Sequence, residues 1–486
     1  DWGGVGFLLE GYERWNDKLP KFEAKNDELY AVYKIYRRGE KVSQDEEEFN
    51  QLTPAASDEL ADYFGEFGSF IEFKDRFNDF KDAALQRFQK LGGGEEIEFE
   101  LWRKMKEWSL EDFNKFYDLI NIHHDYTLGE SFYAARGDML VQDKLSSGEI
   151  VLFTDELAKN ELNFLQTELE AGRITQEIFV RLQAEIENDV GASVVLLKNH
   201  KRFLVKKSNG TTLYATRDLA GIEHKVETFH PARLVYEVGG EQTEYFRNLF
   251  EAARVLNLVE NESVNLTHVA HGLYVDSKTG KKLSSREGAA SVERLIKESI
   301  KYFRAKYDQR STEEFPLSNE EKDRNAKLLA VGSIAFNDIK QDKKFPIAFD
   351  QDIEKNIKLF EESGGAYIMY SLARARSIIR KSDVKPADSI VVTEDYKDLS
   401  EEEVSITKMI AEYPRVILKS ASLDGPSILA GYLLDLANAY NSYYEKYKVL
   451  EKGKLLYPHR LLVTNAVAIV LDNGLKLCHA EAPEII

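Results

Sequence analysis

The first part of the chain, from residue 1 to about residue 188, has its apolar residues at helical spacing. One such stripe opens the sequence and consists of Val5, Leu8, Leu9, Tyr12 and Trp15. Further helices are predicted to end at Gly39 and at the glycine run 92–94, because glycine commonly terminates helices. Another helix is predicted to begin at Ser109, which forms a capping-box pattern with Asp112.

After Asp189, runs of β-branched and aromatic residues replace this pattern. VVLL, KRFLVKK and TLYA are strand-like, and a turn at 208–210 is predicted to join the last two as a hairpin. Two further strands, RLVYEV (233–238) and THVAHGLYV (267–275), are separated by the helical run EQTEYFRNLFEAARVL (241–256). This alternation predicts a parallel sheet with right-handed crossovers, in which ligands bind at the carboxyl ends of the strands.

From about residue 301 the spacing is helical again. The runs GGAYIMYSLARARSIIRK (364–381) and ILAGYLLDLANAYNSYYEKY (428–447) are amphipathic, and a strongly apolar helix follows them. The predicted fold class is therefore α/β plus all-α. We expect a parallel-sheet domain over residues 1–305, with a helical insertion at about 20–188, and a helical bundle over 306–486.

Composition limits the classes of function. The 486 residues exceed one ordinary domain, and 43% of them are hydrophobic, without an apolar run near the ~18 residues of a membrane span. We expect a soluble protein with no transmembrane segment and no signal sequence. The net charge of −19 disfavours a protein that coats nucleic acid without specificity, but it leaves room for a local basic surface that holds one RNA.

Cys478 is the only cysteine, so the chain can form no internal disulfide. This predicts a reducing, cytoplasmic setting. The apolar run around Cys478 predicts a small core residue rather than a reactive thiol.

The segment GKKLSSREG (280–288) lies between a predicted strand and a predicted helix. Its cations and hydroxyl groups are Lys281, Lys282, Ser284, Ser285 and Arg286. Such groups can follow phosphate oxygens as charge builds on them during nucleotidyl transfer. Taken alone, the same composition also fits a solvated turn.

Several motifs in fixed order make the chain resemble class I arginyl-tRNA synthetases. They are DWG at the start, GESFY (129–133), LYATRDLA (213–220), VYEVGGEQTEYFRNLF (235–250), HVAHGLYVDSKTGKKLSSREG (268–288), AYIMYSLARARSIIRK (366–381), YLLDLANAYNSYY (432–444) and VLDNGLKLCHAEAPE (470–484). The resemblance runs through nearly the whole chain. It implies a class I Rossmann-type catalytic domain, ATP-dependent activation of L-arginine, transfer to tRNA(Arg), and a helical anticodon-binding domain at 306–486.

An arginine side chain is a planar cation that needs acceptor-rich partners. Tyr214 and Asp218 lie four residues apart on a predicted helix and can face one pocket, while Gln242 follows the strand at 233–238. The resemblance implies that these three residues bind the arginine substrate. The alternatives are an ordinary surface pair for Tyr214 and Asp218 and a helix cap for Gln242.

The resemblance also implies an ATP site at the carboxyl ends of the strands. Its predicted members are Gly239, Gly240, Glu241, His271, Gly272 and Lys282. GKKLSSREG corresponds to the lysine-containing class I signature that closes over the ATP phosphates. The predicted catalytic residues in it are Lys282, Lys281, Ser284 and Arg286. We expect Mg²⁺ to come with ATP and predict no metal site of the protein itself. For His268 and His271 the alternative is a structural histidine.

The chain departs from the family pattern in three places. Ser285 stands where the signature often carries its second lysine, and Tyr245 stands where the family usually has histidine, so adenosine contacts there are not assigned. None of the nine histidines lies in the His-x-Gly-His signature, which the family places ahead of DWG. We expect a synthetase that lacks its leading segment, with a degenerate paralogue as the rival interpretation.

The amphipathic helices near the end of the chain carry basic and aromatic residues suited to RNA. The predicted tRNA contacts are Tyr370, Arg374, Arg376, Arg380, Lys381 and Tyr444. Tyr367 and Tyr440 are further candidate surfaces for stacking unpaired anticodon bases. The alternative is that these tyrosines pack in the core of the bundle.

Three functional hypotheses follow. An arginyl-tRNA synthetase, expected to be a monomer, binds arginine, ATP and tRNA(Arg) and catalyses ATP–pyrophosphate exchange. A non-catalytic tRNA-binding paralogue or an inactive fragment binds tRNA without that exchange. A generic Rossmann nucleotide enzyme such as a dehydrogenase is disfavoured, because no GxGxxG follows a strand. The synthetase is the favoured hypothesis.

Overall fold

The structure is a computed structural model of the chain. It describes residues 2–198, 201–259, 264–283, 292–310, 317–362, 364–386 and 399–485. The chain forms two compact units, Asp1–Tyr126 and Thr127–Ile486.

The first unit consists of helices. They are α1 (Trp2–Trp15), α2 (Lys25–Gln44), α3 (Glu46–Asn50), α4 (Pro54–Phe64), α5 (Phe70–Gly92) and α6 (Glu96–Leu119). Its core is unusually aromatic, and the Trp15 indole stacks on the Phe80 ring at 4.9 Å between centroids. The predicted helical character of this region is confirmed.

Two predicted helix boundaries in this unit are wrong. Helix α2 continues through Gly39, because this glycine is a packing residue: a Cβ there would lie 2.7 Å from the Phe64 ring. Helix α6 continues through Ser109, whose hydroxyl donates to the Asn26 side chain at 3.0 Å instead of capping a new helix. In both cases a tertiary contact decides the role of a residue whose local signal is ambiguous.

The second unit contains both helices and strands. Its helices are α7 (Glu130–Ser147), α8 (Asp155–Glu170), α9 (Gln176–Asn188), α10 (Tyr214–Phe229), α11 (Thr243–Val255), α12 (Val292–Arg310), α13 (Asn319–Ile339), α14 (Ile353–Glu362), α15 (Gly365–Lys381), α16 (Glu401–Ser422), α17 (Pro426–Lys446) and α18 (Pro458–Leu477). Its strands are β1 (Val151–Leu152), β2 (Ser193–Leu196), β3 (Arg202–Lys206), β4 (Arg233–Gly239), β5 (Asn265–His271), β6 (Tyr274–Asp276), β7 (Ile347–Phe349), β8 (Leu450–Glu451) and β9 (Lys454–Leu455).

Strands β4 and β5 confirm the predicted parallel pairing. They run in register from Arg233 opposite Asn265 to Gly239 opposite His271, with α11 between them in the chain. Strands β6 and β7 also pair in parallel, whereas β1, β2 and β3 form an antiparallel sheet. The α/β fold class with a helical C-terminal region is therefore confirmed.

The predicted turn at 208–210 is present and closes a short hairpin, in which Lys206 and Thr212 form an antiparallel bridge and the Lys207 amide donates to the Thr211 carbonyl at 2.9 Å. The predicted strand TLYA is wrong beyond this bridge, because Tyr214 already begins α10. The Thr216 hydroxyl donates to the Val205 carbonyl and fixes the first turn of α10 against β3. The antiparallel partner of β3 is β2.

The predicted strand 267–275 is interrupted at Gly272. Strand β5 ends at His271 and β6 begins at Tyr274. At the interruption the Gly272 amide donates to the Lys343 carbonyl at 2.6 Å, and a Cβ on Gly272 would lie 2.1 Å from the Phe345 carbonyl oxygen. The chain therefore crosses another backbone segment at a distance that only glycine permits.

Helices α12 to α18 surround an apolar core that includes Cys478, as predicted. Glu403, in the first turn of α16, is 1% exposed and forms a capping box with Ser400. Its carboxylate also accepts from Tyr443, His459 and Arg460, at 3.4, 3.2 and 3.2 Å. Burial alone would raise the pKa of Glu403, but the Ser400 amide and the charges of His459 and Arg460 outweigh it and lower that pKa.

A polar clamp joins the start of β4 to the turn between α16 and α17. The Arg233 guanidinium donates two hydrogen bonds to the Asp424 carboxylate, at 2.9 and 2.5 Å, and a third to the Thr267 hydroxyl at 3.0 Å. The Lys343 ammonium donates to the carbonyls of Leu423 and Asp424, at 3.1 and 2.7 Å. The strand that leads to the candidate site and the helical bundle are thus directly connected.

None of the helices in the described ranges is long and apolar enough to cross a membrane.

Candidate active site

The candidate site lies where β4 and β5 end side by side. Gly239 and His271 are register partners, and a short 3₁₀ turn, Gly240–Gln242, leads from β4 into α11. A Cβ on Gly240 would make only ordinary contact with the His271 carbonyl, so the backbone here is open to an approaching ligand. These residues therefore lie at the carboxyl ends of two parallel strands, where the sequence analysis expected a ligand, and their role in binding one stays a prediction.

Lys281 and Lys282 lie on a hairpin that continues from β6. The Asp276 amide donates to the Lys281 carbonyl at 2.8 Å, and the Leu283 amide donates to the Tyr274 carbonyl at 2.9 Å. The Asp276 carboxylate holds the turn by accepting from the amides of Thr279 and Lys278, at 2.8 and 3.0 Å. These hydrogen bonds, led by that of the Thr279 amide, lower the pKa of Asp276 and keep its carboxylate ionised.

The Lys282 ammonium lies 3.6 Å from the Glu241 carboxylate, and both side chains are exposed. The pKa of Glu241 is lowered by its own backbone amide first and then by the charge of Lys282. An exposed pair of this kind is weak, so Lys282 is able to exchange Glu241 for a more highly charged anion. Ser284, Ser285 and Arg286 lie outside the described residues.

Asp218 on α10 is joined to α11 by a hydrogen bond, and together with Tyr214 and Gln242 it forms the candidate arginine pocket. The Tyr245 phenol donates to Asp218 Oδ2 at 2.5 Å, and both side chains are half-buried. Burial raises the pKa of Asp218, while the hydrogen bond from Tyr245 opposes that rise. The alternative of an ordinary surface pair with Tyr214 is disfavoured, because the partner of Asp218 is on a different helix.

Tyr214 and Gln242 lie at the edge of this pocket. Tyr214 is 62% exposed, and its ring centroid lies 6.0 Å from that of Tyr245. Gln242 is at the N-cap position of α11, three residues before Tyr245, and its exposed side chain makes no capping hydrogen bond. The helix-cap alternative is therefore disfavoured, and arginine binding by Gln242 stays a prediction.

Two groups near Asp218, Lys225 and Tyr236, were not predicted from the sequence. Lys225 follows Asp218 by two helical turns, and its ammonium lies 4.7 Å from the Tyr236 ring centroid and 3.5 Å from the Tyr236 hydroxyl. Burial lowers the pKa of Lys225, and the nearby charge of Asp218 opposes this. The sequence feature that could have identified Lys225 is its spacing, because it lies seven residues after Asp218 on the same face of α10.

The two strand histidines have structural partners. His268 lies 3.1 Å from the Val238 carbonyl, and its ring stacks on Phe246 at 4.7 Å between centroids. His271 Nδ1 lies 2.8 Å from the Gly272 carbonyl, and Nε2 lies 3.5 Å from the Glu237 carboxylate. These contacts favour the structural alternative for His268, while the ATP contact of His271 stays a prediction.

A groove of about 970 Å³ lies between α15 and the end of α17. The predicted tRNA contacts that line it are Tyr370, Arg374, Arg380, Lys381 and Tyr444. The Arg374 guanidinium donates to the Asn441 side chain and lies 5.0 Å from the centroid of the Tyr444 ring. Lys448 adds a further cation to the groove lining.

Two residues predicted at the RNA surface have other surroundings. Arg376 is absent from the groove lining of the described residues, and its guanidinium donates to Asp472 at 2.8 Å and to the Ala482 carbonyl at 3.2 Å. Its role as a tRNA contact stays a prediction. Tyr440 as a stacking surface is wrong, since it is 0% exposed in the core of the bundle; Tyr367 and Tyr444 are 36% and 40% exposed.

Two segments of the chain match known families. Residues 173–350 match the family described as tRNA synthetases class I (R), catalytic domain. Residues 368–486 match the DALR anticodon binding domain. The first segment contains the strand-end site and the second contains the groove.

Similar curated proteins carry the name arginine–tRNA ligase. That of Exiguobacterium sp. (strain ATCC BAA-1283 / AT1b) is 33% identical over 411 residues, which cover 84% of this chain and 63% of that protein. That of Streptococcus pneumoniae (strain CGSP14) is 30% identical over 489 residues, which cover 100% of this chain and 71% of that protein. The chain thus spans less than two thirds of the Exiguobacterium protein.

Two similar solved structures support the fold. The Plasmodium falciparum arginyl-tRNA synthetase has a TM-score of 0.63 at 21% identity, covering 87% of this chain and 65% of that one. The Thermus thermophilus arginyl-tRNA synthetase has a TM-score of 0.62 at 19% identity, covering 100% and 75%. At these identities the likeness concerns the fold alone.

Proposed function

This chain belongs to the arginine–tRNA ligase family, and on that premise we propose that it activates L-arginine with ATP and transfers the arginyl group to tRNA(Arg). One observation of the site carries the substrate proposal. Asp218 offers a half-buried carboxylate on α10, one helical turn after the exposed phenol of Tyr214 and hydrogen-bonded to Tyr245 of α11. A guanidinium is the cation that such a pocket of planar acceptors suits best.

Asp218 binds the guanidinium of arginine, and Tyr214 and Gln242 complete the pocket. The three side chains come from the start of α10 and the start of α11. The half-buried position of Asp218 strengthens its attraction for the substrate cation, because the local dielectric is lower than that of water.

ATP lies along the ends of β4 and β5, over the open backbone of Gly240, with Gly239 and Gly272 as its neighbours in the two strand ends. Lys282 and Lys281 approach the phosphates from the hairpin held by Asp276, and Ser284 and Arg286 assist from the same signature. Lys282 exchanges its weak contact with Glu241 for the phosphates. Glu241 and His271 are the remaining proposed contacts with ATP.

Mg²⁺ enters bound to the phosphate oxygens of ATP and neutralises part of their charge. Within the described ranges, no group of three or more His, Cys, Asp or Glu side chains is arranged to hold a metal ion.

The reaction has two steps. The carboxylate of arginine attacks the α-phosphorus of ATP, which forms arginyl-adenylate and releases pyrophosphate. A hydroxyl of the terminal ribose of the tRNA then attacks the activated carbonyl, and AMP leaves. The side chains of the site position the reactants and offset the charge that develops on the phosphates, and no covalent intermediate with the protein is needed.

The groove between α15 and α17 binds the anticodon part of the tRNA. Arg374, Arg380 and Lys381 contact phosphates, and Tyr370 and Tyr444 offer aromatic surface for unpaired bases. In this proposal residues 1–305 form the catalytic part and residues 306–486 the anticodon-binding part. We propose further that the protein works as a monomer in the cytoplasm, where its single buried cysteine stays reduced.

Arginine-dependent ATP–pyrophosphate exchange, measured with tRNA(Arg) present on protein expressed from the complete gene, tests the activity. Asp218→Ala is expected to raise the arginine KM about a hundredfold or more, since removing one partner of a buried charged contact costs roughly 3–5 kcal/mol. Asp143→Ala, which removes an exposed carboxylate of α7, is the matched control. Unchanged kinetics in Asp218→Ala would refute the pocket, and tRNA binding without exchange in the wild type would favour a non-catalytic paralogue.

A further inference from the structure

We propose that Tyr245 is a positioning residue of the arginine pocket: its phenol holds Asp218 in the orientation and charge state that bind the guanidinium. The inference rests on the proposed function and deepens it.

Geometry supports the positioning role. Asp218 and Tyr245 lie 27 residues apart on α10 and α11, and the hydrogen bond from the phenol to Asp218 Oδ2 measures 2.5 Å. The Tyr245 ring is itself fixed between those of Phe203 and Tyr214, each with its centroid 6.0 Å away. A rigid donor therefore occupies one oxygen of the carboxylate.

The second oxygen of the Asp218 carboxylate, Oδ1, differs from Oδ2 in its hydrogen bonding. Within the described part of the chain, Asp218 Oδ1 accepts no hydrogen bond. Since a carboxylate accepts at both oxygens, Oδ1 is available to the substrate while Oδ2 stays on the phenol. The guanidinium then meets a carboxylate of fixed orientation, and little of the binding energy is lost in ordering it.

Several titratable groups surround Asp218, and some of them raise its pKa while others lower it. On α7 there is Glu130, on α10 Tyr214, Arg217 and Lys225, on β4 Tyr236, and on α11 Tyr245. Burial raises the pKa of Asp218, Glu130 adds to that rise, and the Tyr245 hydrogen bond, Lys225 and Arg217 oppose it. Loss of the phenol therefore moves the ionisation of Asp218 to higher pH and weakens arginine binding in mild acid.

Calorimetric titration with L-arginine and with L-citrulline, its uncharged isostere, tests the proposal on wild type and Tyr245→Phe between about pH 5 and 8. At neutral pH the variant is expected to bind arginine about tenfold more weakly, which corresponds to one hydrogen bond to a charged group. Its affinity for citrulline should change little. The pH below which arginine binding fades should be higher than in the wild type.

Tyr432→Phe is the matched control, because it removes a half-buried phenol that donates to the Met409 carbonyl at 2.9 Å, away from the pocket. It should bind both ligands as the wild type does. If Tyr245→Phe loses the same factor of affinity for arginine and for citrulline, and the pH dependence of arginine binding does not change, the role of Tyr245 is only structural and the inference is overturned. Unchanged arginine binding in that variant would do the same. Absence of arginine binding in the wild type would instead overturn the proposed function, and this inference with it.

Discussion

Replacing Gly272 by alanine is the sharpest test of how the fold positions the proposed nucleotide site. Gly272 lies between β5, which ends at the site, and β6, which leads into the lysine hairpin. A methyl group on Gly272 would lie 2.1 Å from the Phe345 carbonyl oxygen, 2.5 Å from the carbonyl carbon and 2.8 Å from Pro346 N. All three are backbone atoms, so no side-chain rotation relieves the contact.

The size of the effect follows from these distances. Carbon and oxygen atoms that are not bonded approach to about 3.3 Å or more, so one of the two backbone segments must move by roughly 1 Å. Overpacking of this kind costs about 1–3 kcal/mol. Because β6 pairs with β7 immediately after Pro346, the movement also displaces the hairpin that carries Lys282.

Two measurements check the prediction. Chemical denaturation should show a loss of about 2 kcal/mol in Gly272→Ala, and ATP–pyrophosphate exchange should show a raised KM for ATP. Gly431→Ala is the control, since Gly431 is exposed within α17 and a methyl group there would meet no atom within 4 Å. That variant should gain roughly 0.5–1 kcal/mol, as alanine favours a helix over glycine.

The reasoning fails if Gly272→Ala matches the wild type in both stability and ATP kinetics. It also fails if stability falls but the ATP KM stays unchanged, because the hairpin would then be independent of the crossing at Gly272.

Three further predictions concern the helical bundle. Glu403→Gln should lower the free energy of unfolding by about 2 kcal/mol at pH 7, since it removes a buried charge that accepts from Arg460. Because the folded-state pKa of Glu403 is lowered, this contribution is lost as the pH falls through that pKa, so denaturation curves of variant and wild type should converge in acid. Arg374→Ala should weaken tRNA(Arg) binding about tenfold in a filter-binding assay and reduce its dependence on salt, with little effect on stability. Arg376→Ala should instead lower the melting temperature, because its guanidinium is bound to Asp472; a large loss of tRNA affinity at unchanged stability would contradict this.

Local patterns sufficed for much of the fold. The parallel pair β4 and β5, the helix that begins near GESFY, and the helical end of the chain all follow from apolar spacing and glycine placement. The motif LYATRDLA singled out Asp218 through its resemblance to a family, and the binding role of that residue stays a prediction. These are features that neighbouring residues determine among themselves.

Local sequence patterns did not predict the contacts between residues that lie far apart in the chain. Gly39 has the signal of a helix end, but its neighbour in space is Phe64, and only the packing shows that the helix continues. Tyr440 lies on an amphipathic helix whose exposed and buried faces both carry tyrosines, so spacing alone could not assign its side. The hydrogen bond from Tyr245 to Asp218 depends on how α10 and α11 pack, and no pattern within either helix contains that information.

The clamp between Arg233 and Asp424 has a consequence for protein engineering. The two residues are 191 positions apart, yet the two-pronged contact between them requires a guanidinium on one side and a carboxylate on the other. A chimaera that took its helical bundle from a relative would have to import a matching residue at position 233, or the junction would leave a charge without its partner. No single cut in the chain therefore separates the helical bundle from the rest of the second unit without also breaking this contact.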